Sequence, residues 1–139
     1  MISKYAPALR YKIEDKNNDL FDLAKATAQK VKTTNLKSDQ VRGFLRQTQT
    51  GYGVEHVTSW LRYQQARVSE WRESGLADDI LTDLNELKED AQTIADTLDP
   101  ARAEQWLGMV WLALVQRYAA YLERWYQVVC SKWEESNEE

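Results

Sequence analysis

From Leu76 to Leu98 the chain carries one regular apolar stripe: Leu76, Ile80, Leu84, Leu87, Ala91, Ile94 and Leu98, at steps of 4, 4, 3, 4, 3 and 4. That spacing follows the turn of an α-helix and predicts a helix over 76–98 with one face on a core. Asp79, Asp83, Glu86 and Asp90 stand between these positions and are expected to form an acidic outer face. Upstream, Leu20, Leu23, Ala24, Thr27, Ala28 and Val31 predict a helix from about Asp19 to Val31. A second follows Thr33-Thr34-Asn35, with Ser38 as its cap and Val41, Phe44, Leu45 and Thr48 as its inner stripe. Gly51-Tyr52-Gly53 interrupts the chain. A third helix is expected without a break from Val54 to Ser74, since Val57, Trp60, Leu61, Gln64, Val68 and Trp71 share one side. Gly75 ends it by tolerating a left-handed turn.

Asp99-Pro100 opens the last predicted helix, because proline at the first helical position gives up an amide hydrogen that would be unpaired anyway. It extends to about Trp133, and from Trp106 to Val115 it is apolar all round, so other helices should sheathe it. Residues 1–18 show no period. The pattern therefore predicts a single all-α domain: an N-terminal arm over 1–18, a bundle of about five helices over 19–133 with a long aromatic C-terminal helix, and an acidic tail over 134–139.

Composition supports the helical reading. Five Gly and two Pro leave little material for turns, and the chain is rich in unbranched side chains that lose little rotamer freedom in a helix. The single cysteine, Cys130, excludes an internal disulfide framework and suits a reducing compartment. The start Met-Ile-Ser-Lys-Tyr lacks the apolar run of a signal peptide, and the longest apolar stretch falls short of a membrane span, so a cytoplasmic protein without a membrane partner is expected.

The net charge of −4 hides an asymmetry. Residues 1–74 carry 13 Lys and Arg against 8 Asp and Glu, whereas residues 75–139 carry 5 against 14. One surface can therefore attract a polyanion while the other repels it. Arg42 and Arg46 lie four apart, about 100–140° round their helix from Val41. Arg62 falls opposite the third helix's apolar stripe, with Tyr63 and Arg67 on its shoulder. Guanidinium forks fit phosphates, and Gln47, Gln49, Gln64 and Gln65 can reach sugars or base edges; an ordinary solvated surface has the same composition.

Chemistry has less to stand on. Zinc needs ligands drawn mostly from Cys and His, and the chain offers only His56 and Cys130. Asp78, Asp79, Asp83 and Glu86 are more simply a solvated helix face than a Mg²⁺ site. Nucleophilic catalysis would depend on the lone His56, and Gly51-Tyr52-Gly53 lacks the further glycines and lysine of a phosphate loop. The expectation is a binding protein with no catalytic residue, metal, cofactor or small-molecule substrate. The aromatic closing helix carries more apolar surface than short helices cover, which makes Tyr121, Trp125, Tyr126 and Trp133 a candidate subunit interface.

The stretch Leu36-Lys-Ser-Asp-Gln-Val-Arg-Gly-Phe-Leu45 resembles the Ser-x-Gln-Ile/Val-Arg helix opening of the small all-helical subunit of type III CRISPR effector complexes. Trp60-Leu-Arg-Tyr-Gln-Gln-Ala-Arg67 is similar to the helix that follows it there, and residues 104–126 resemble the long aromatic closing helix of a related branch. The resemblance implies a non-catalytic bundle subunit of a ribonucleoprotein in antiviral defence. Copies of it would stack beside other effector subunits and help hold guide RNA on target RNA. By position it implies RNA contacts at Lys37, Arg42, Arg46, Arg62 and Arg67. An adaptor that docks on another protein through its aromatic C-terminal helix is the alternative.

Overall fold

Residues 2–138 are described in the computed structural model, with side chains described for residues 7–132. Among them are seven α-helices and no strand: α1 (Ile2–Glu14), α2 (Asn17–Gln29), α3 (Ser38–Thr48), α4 (Val54–Arg67), α5 (Ser69–Glu73), α6 (Leu76–Leu98) and α7 (Ala103–Glu138). A 3₁₀ turn over Pro100–Arg102 leads into α7. The all-α class is as the pattern predicts; the number of helices is not, for two local reasons.

The first is at Val68. The helix expected to run unbroken over 54–74 stops at Arg67, and Val68 is extended, with φ −113° and ψ 109°. Nη1 of Arg72 donates to the carbonyls of Gln65 and Ala66 at 2.9 Å, satisfying acceptors that the end of α4 leaves open. The change of direction buries Trp71 edge-on against Trp60, with ring centroids 5.8 Å apart. The second is at the N-terminus, where the expected arm contains helix α1. It packs on α6 and α7 and buries Ile13.

Helix α7 is the axis of the fold. Its 36 residues extend about 54 Å, and it packs against α2, α6 and α3. Val110, Leu114, Val115, Tyr118, Ala119, Leu122 and Tyr126 are fully buried along it. Burying a large apolar side chain of this kind contributes about 1.5–3 kcal/mol, so the helices around α7 are held chiefly by covering it. The cover is incomplete over Trp106–Val115, where Trp106, Leu107, Trp111 and Leu112 are half-buried and Gly108 is exposed.

Polar ties then fix how each helix sits on α7. Trp111 Nε1 donates to the Leu84 carbonyl of α6 at 2.9 Å. Gln116 Nε2 donates to the Thr48 carbonyl at 2.9 Å, filling an open acceptor at the C-terminal end of α3. The Tyr126 hydroxyl donates to the Leu36 carbonyl just before α3. Ser38, expected as the cap of α3, is its first helical residue; Gln40 Oε1 accepts the Lys37 amide at 3.2 Å instead. Gly75 sits at φ +74°, the left-handed turn its type suggested, and opens α6.

The apolar stripe of α6 is buried from Leu76 to Ile94, but one acid placed on the outer face belongs inside. Asp83 is 4% exposed and accepts hydrogen bonds from the Tyr118 hydroxyl at 2.5 Å and from the Thr27 hydroxyl. Three helices, α2, α6 and α7, therefore meet on one carboxylate. Burial, the largest influence, raises the Asp83 pKa above 3.8, while its two hydroxyl partners oppose that rise. The Tyr118 phenol is pushed well above its ordinary value by burial and by the adjacent carboxylate.

An acid whose folded pKa is raised binds its proton more tightly in the folded state. Its contribution is fully present below the unfolded pKa and is lost as pH rises through the folded one. Asp83→Asn, which keeps an acceptor for both hydroxyls, should hold stability within about 1 kcal/mol at neutral pH. It should also remove the Asp83 part of the decline in stability above pH 3.8. Asp83→Leu, which strands two buried hydroxyls, should cost about 2 kcal/mol or more. Urea unfolding of the three proteins between pH 4 and 8 reads both effects.

Candidate nucleic-acid interface

Helices α3 and α4 lie side by side, and two contacts fix their register. A Cβ on Gly43 would meet the Trp60 ring at 3.3 Å, so the absence of a side chain there lets α4 approach closely. His56 Nε2 is hydrogen-bonded to Gln47 Oε1 at 2.9 Å. Pairing 43 with 60 and 47 with 56 is an antiparallel register, and it brings Arg67 level with the Lys37 end of α3. Arg46 is level with the start of α4, near Tyr52 and His56.

The five cations expected to contact RNA divide on this frame. All five are exposed. Lys37, Arg46 and Arg67 belong to the α3–α4 face, and none of them pairs with an acid among the described residues. Arg67 lies over the Tyr63 ring at 5.3 Å from its centroid and donates to the Tyr63 hydroxyl. Arg42 lies round α3 toward α7, where Nε meets Glu123 Oε1 at 3.4 Å and Nη1 meets Asp39 Oδ1 at 3.3 Å. Arg62, five residues before Arg67 and about 140° round the helix from it, lines a different hollow with Glu55, Leu84, Lys88 and Trp111.

The register therefore sets Lys37 and Arg67 at one end of the helix pair and Arg46 at the other, while Arg42 is held by acids and Arg62 lines the other side of α4. Asp39, the single acid of α3, is drawn to Arg42, and Glu55, the single acid of α4, lies on the Arg62 side. Asp39 nevertheless stays exposed seven residues before Arg46, on the same flank of α3, and Glu55 borders Tyr52 at the start of α4, so the helix pair carries its cations with acids beside them. Exposed Tyr52 and Tyr63 stand on the α3–α4 face, 77% and 53% accessible. Tyr52 rests against the His56 ring, with centroids 5.2 Å apart. Tyr52 and His56 had drawn attention only as a turn residue and a lone histidine. Their distance of four residues across the start of a helix was the available signal.

The expected subunit interface on α7 also divides. Tyr126 is fully buried with its hydroxyl bonded to Leu36, so it belongs to the core and cannot face another subunit. Tyr121 and Trp125 are half-buried and pack edge-on against Phe21 of α2, which is 40% exposed. Lys25 lies over the Trp125 ring at 4.9 Å. The Trp133 side chain and the acidic tail over 134–139 lie outside the described side chains.

On the acidic side, Asp90 pairs with Lys16 at 3.7 Å and Asp78 accepts from Gln65 Nε2 at 2.8 Å. No three His, Cys, Asp or Glu residues among those described converge as a metal site requires. No described helix is long and apolar enough to cross a membrane.

Close packing at Gly43 makes the face sensitive to added volume. Gly43→Leu should force Trp60 away and destabilise the protein by about 1–3 kcal/mol, the usual cost of overpacking. A lower urea midpoint together with altered tryptophan fluorescence would register it. No family model, curated protein or solved structure matches this chain, so the meaning of the face rests on its own residues.

Proposed function

We propose that the protein is a non-catalytic small subunit of a type III RNA-guided effector complex. It lies beside other subunits, including copies of itself, and contacts the backbone of paired guide and target RNA. One observation supports this reading: Lys37, Arg46 and Arg67 are exposed on the α3–α4 pair and none forms an ion pair with an acid among the described residues. The nine residue steps from Lys37 to Arg46 rise about 14 Å, room for several phosphates of one strand. Arg42 contributes more weakly, since Asp39 and Glu123 already hold it. Arg62 would serve only a strand that also passes over the opposite side of α4.

A second reading is favoured by the Phe21–Tyr121–Trp125 cluster, whose exposed apolar edge continues at Val128, 40% accessible. In that reading the protein is an adaptor and binds another protein through α2 and α7.

Arg46→Glu combined with Arg67→Glu should weaken retention of target RNA by the assembled complex. It should also make the dependence of affinity on salt shallower by about one to two units of log–log slope. Filter binding across a salt series measures both. An unchanged slope would remove the phosphate-contact reading. A loss of assembly on Trp125→Ala, with RNA retention indifferent to the arginine changes, would select the adaptor.

A further inference from the structure

Phosphate contact does not account for the two tyrosines on the same face. Tyr52 and Tyr63 are 77% and 53% exposed, and each is steadied by one neighbour: the His56 ring for Tyr52, the Arg67 guanidinium for Tyr63. A large aromatic ring left in water gains nothing from the fold, yet these two are braced rather than tucked away. Arg46 and Arg67, which the register places toward Tyr52 and beside Tyr63, form no ion pair among the described residues. Exposed rings alternating with unpaired cations are what a single nucleic-acid strand meets on a stacking platform: bases lie on the rings and phosphates pair with the cations.

We propose that the α3–α4 face binds unpaired nucleotides of a single RNA strand, with Tyr52 and Tyr63 as stacking surfaces and Arg46, Arg67 and Lys37 as phosphate contacts. The inference rests on the RNA-binding reading above and adds to contact with the paired backbone a site for nucleotides whose bases are splayed from the duplex. His56 follows Tyr52 by four residues, and Tyr63 and Arg67 follow His56 by seven and eleven. These offsets keep all three on one flank of α4, at about 100° per residue. The His56–Tyr63 interval is about 10 Å, so the two ring stations are separate and would take different bases. Stacking of this kind is tolerant of sequence because every base has a π-face. The Gln47 side chain is bonded to His56, and it is therefore unsuited to reading base edges while that bond stands.

The test uses the full chain at low salt and NMR, which detects millimolar binding without assembly. Three probes of equal length are titrated: single-stranded oligoadenylate, the same oligomer with abasic riboses, and a blunt RNA duplex. Oligoadenylate should shift the Tyr52 and Tyr63 ring protons upfield and bind at least about fivefold more tightly than the abasic strand. Tyr63→Ala should erase most of that difference, while Tyr63→Phe keeps it. Both tyrosines are exposed, so folding of the variants is not at risk. Equal affinity for oligoadenylate and the abasic strand, or preference for the duplex, would overturn the stacking proposal and leave the phosphate reading standing. Failure of all three probes to perturb α3–α4 would overturn both.

Discussion

One long helix that cannot face water alone dictates the architecture. Helix α7 offers apolar side chains around much of its circumference, and α2, α3 and α6 are the helices that cover it. Apolar burial is strong but has no direction, so it does not set how each covering helix is rotated. Rotation is set by a few polar ties whose loss would leave buried groups without partners. Asp83 with Thr27 and Tyr118 orients α2 and α6, and Gln116 and Tyr126 hold the two ends of α3. The outward direction of the α3 cations is thus a consequence of contacts on the opposite side of the same helix.

The features most relevant to function are secondary to that arrangement. Arg46 points outward because Val41, Phe44 and Thr48 point inward, and Trp60 reaches α3 because Gly43 has no side chain. The two acids nearest the cations, Asp39 and Glu55, are turned toward Arg42 and toward the hollow lined by Arg62. The Lys16–Asp90 pair, half-buried at the surface between α1 and α6, stabilises weakly.

Regular periodicity made much of this legible before the fold was known. The α6 stripe, the interruption at residues 51–53 and the left-handed Gly75 all correspond to local chemistry that a sequence records directly. Asp83 was misplaced because a carboxylate between apolar residues looks the same whether solvent or two hydroxyls receive it. Its spacing, three after Ile80 and four before Leu87, already put it on the inner stripe. The break at Val68 has no glycine or proline to announce it; it follows from the burial of Trp71 and from Arg72 reaching back, which are tertiary events. Helix α1 contains Pro7 in its interior and lacked a readable period. For the candidate face, the identities of the cations were visible. Their grouping depended on an antiparallel register that no single helix encodes.

The attachment of α3 has a mechanical corollary. The helix is pinned to α7 near both of its ends, at Leu36 by Tyr126 and at Thr48 by Gln116, ten residues apart along the supporting helix. It behaves as a beam on two posts. A bend or twist imposed on the C-terminal half of α7, as when a neighbouring molecule leans on it, would tilt α3 as a whole. Leverage applied at one side of the protein would then be felt as a change in aim of the arginines on the other.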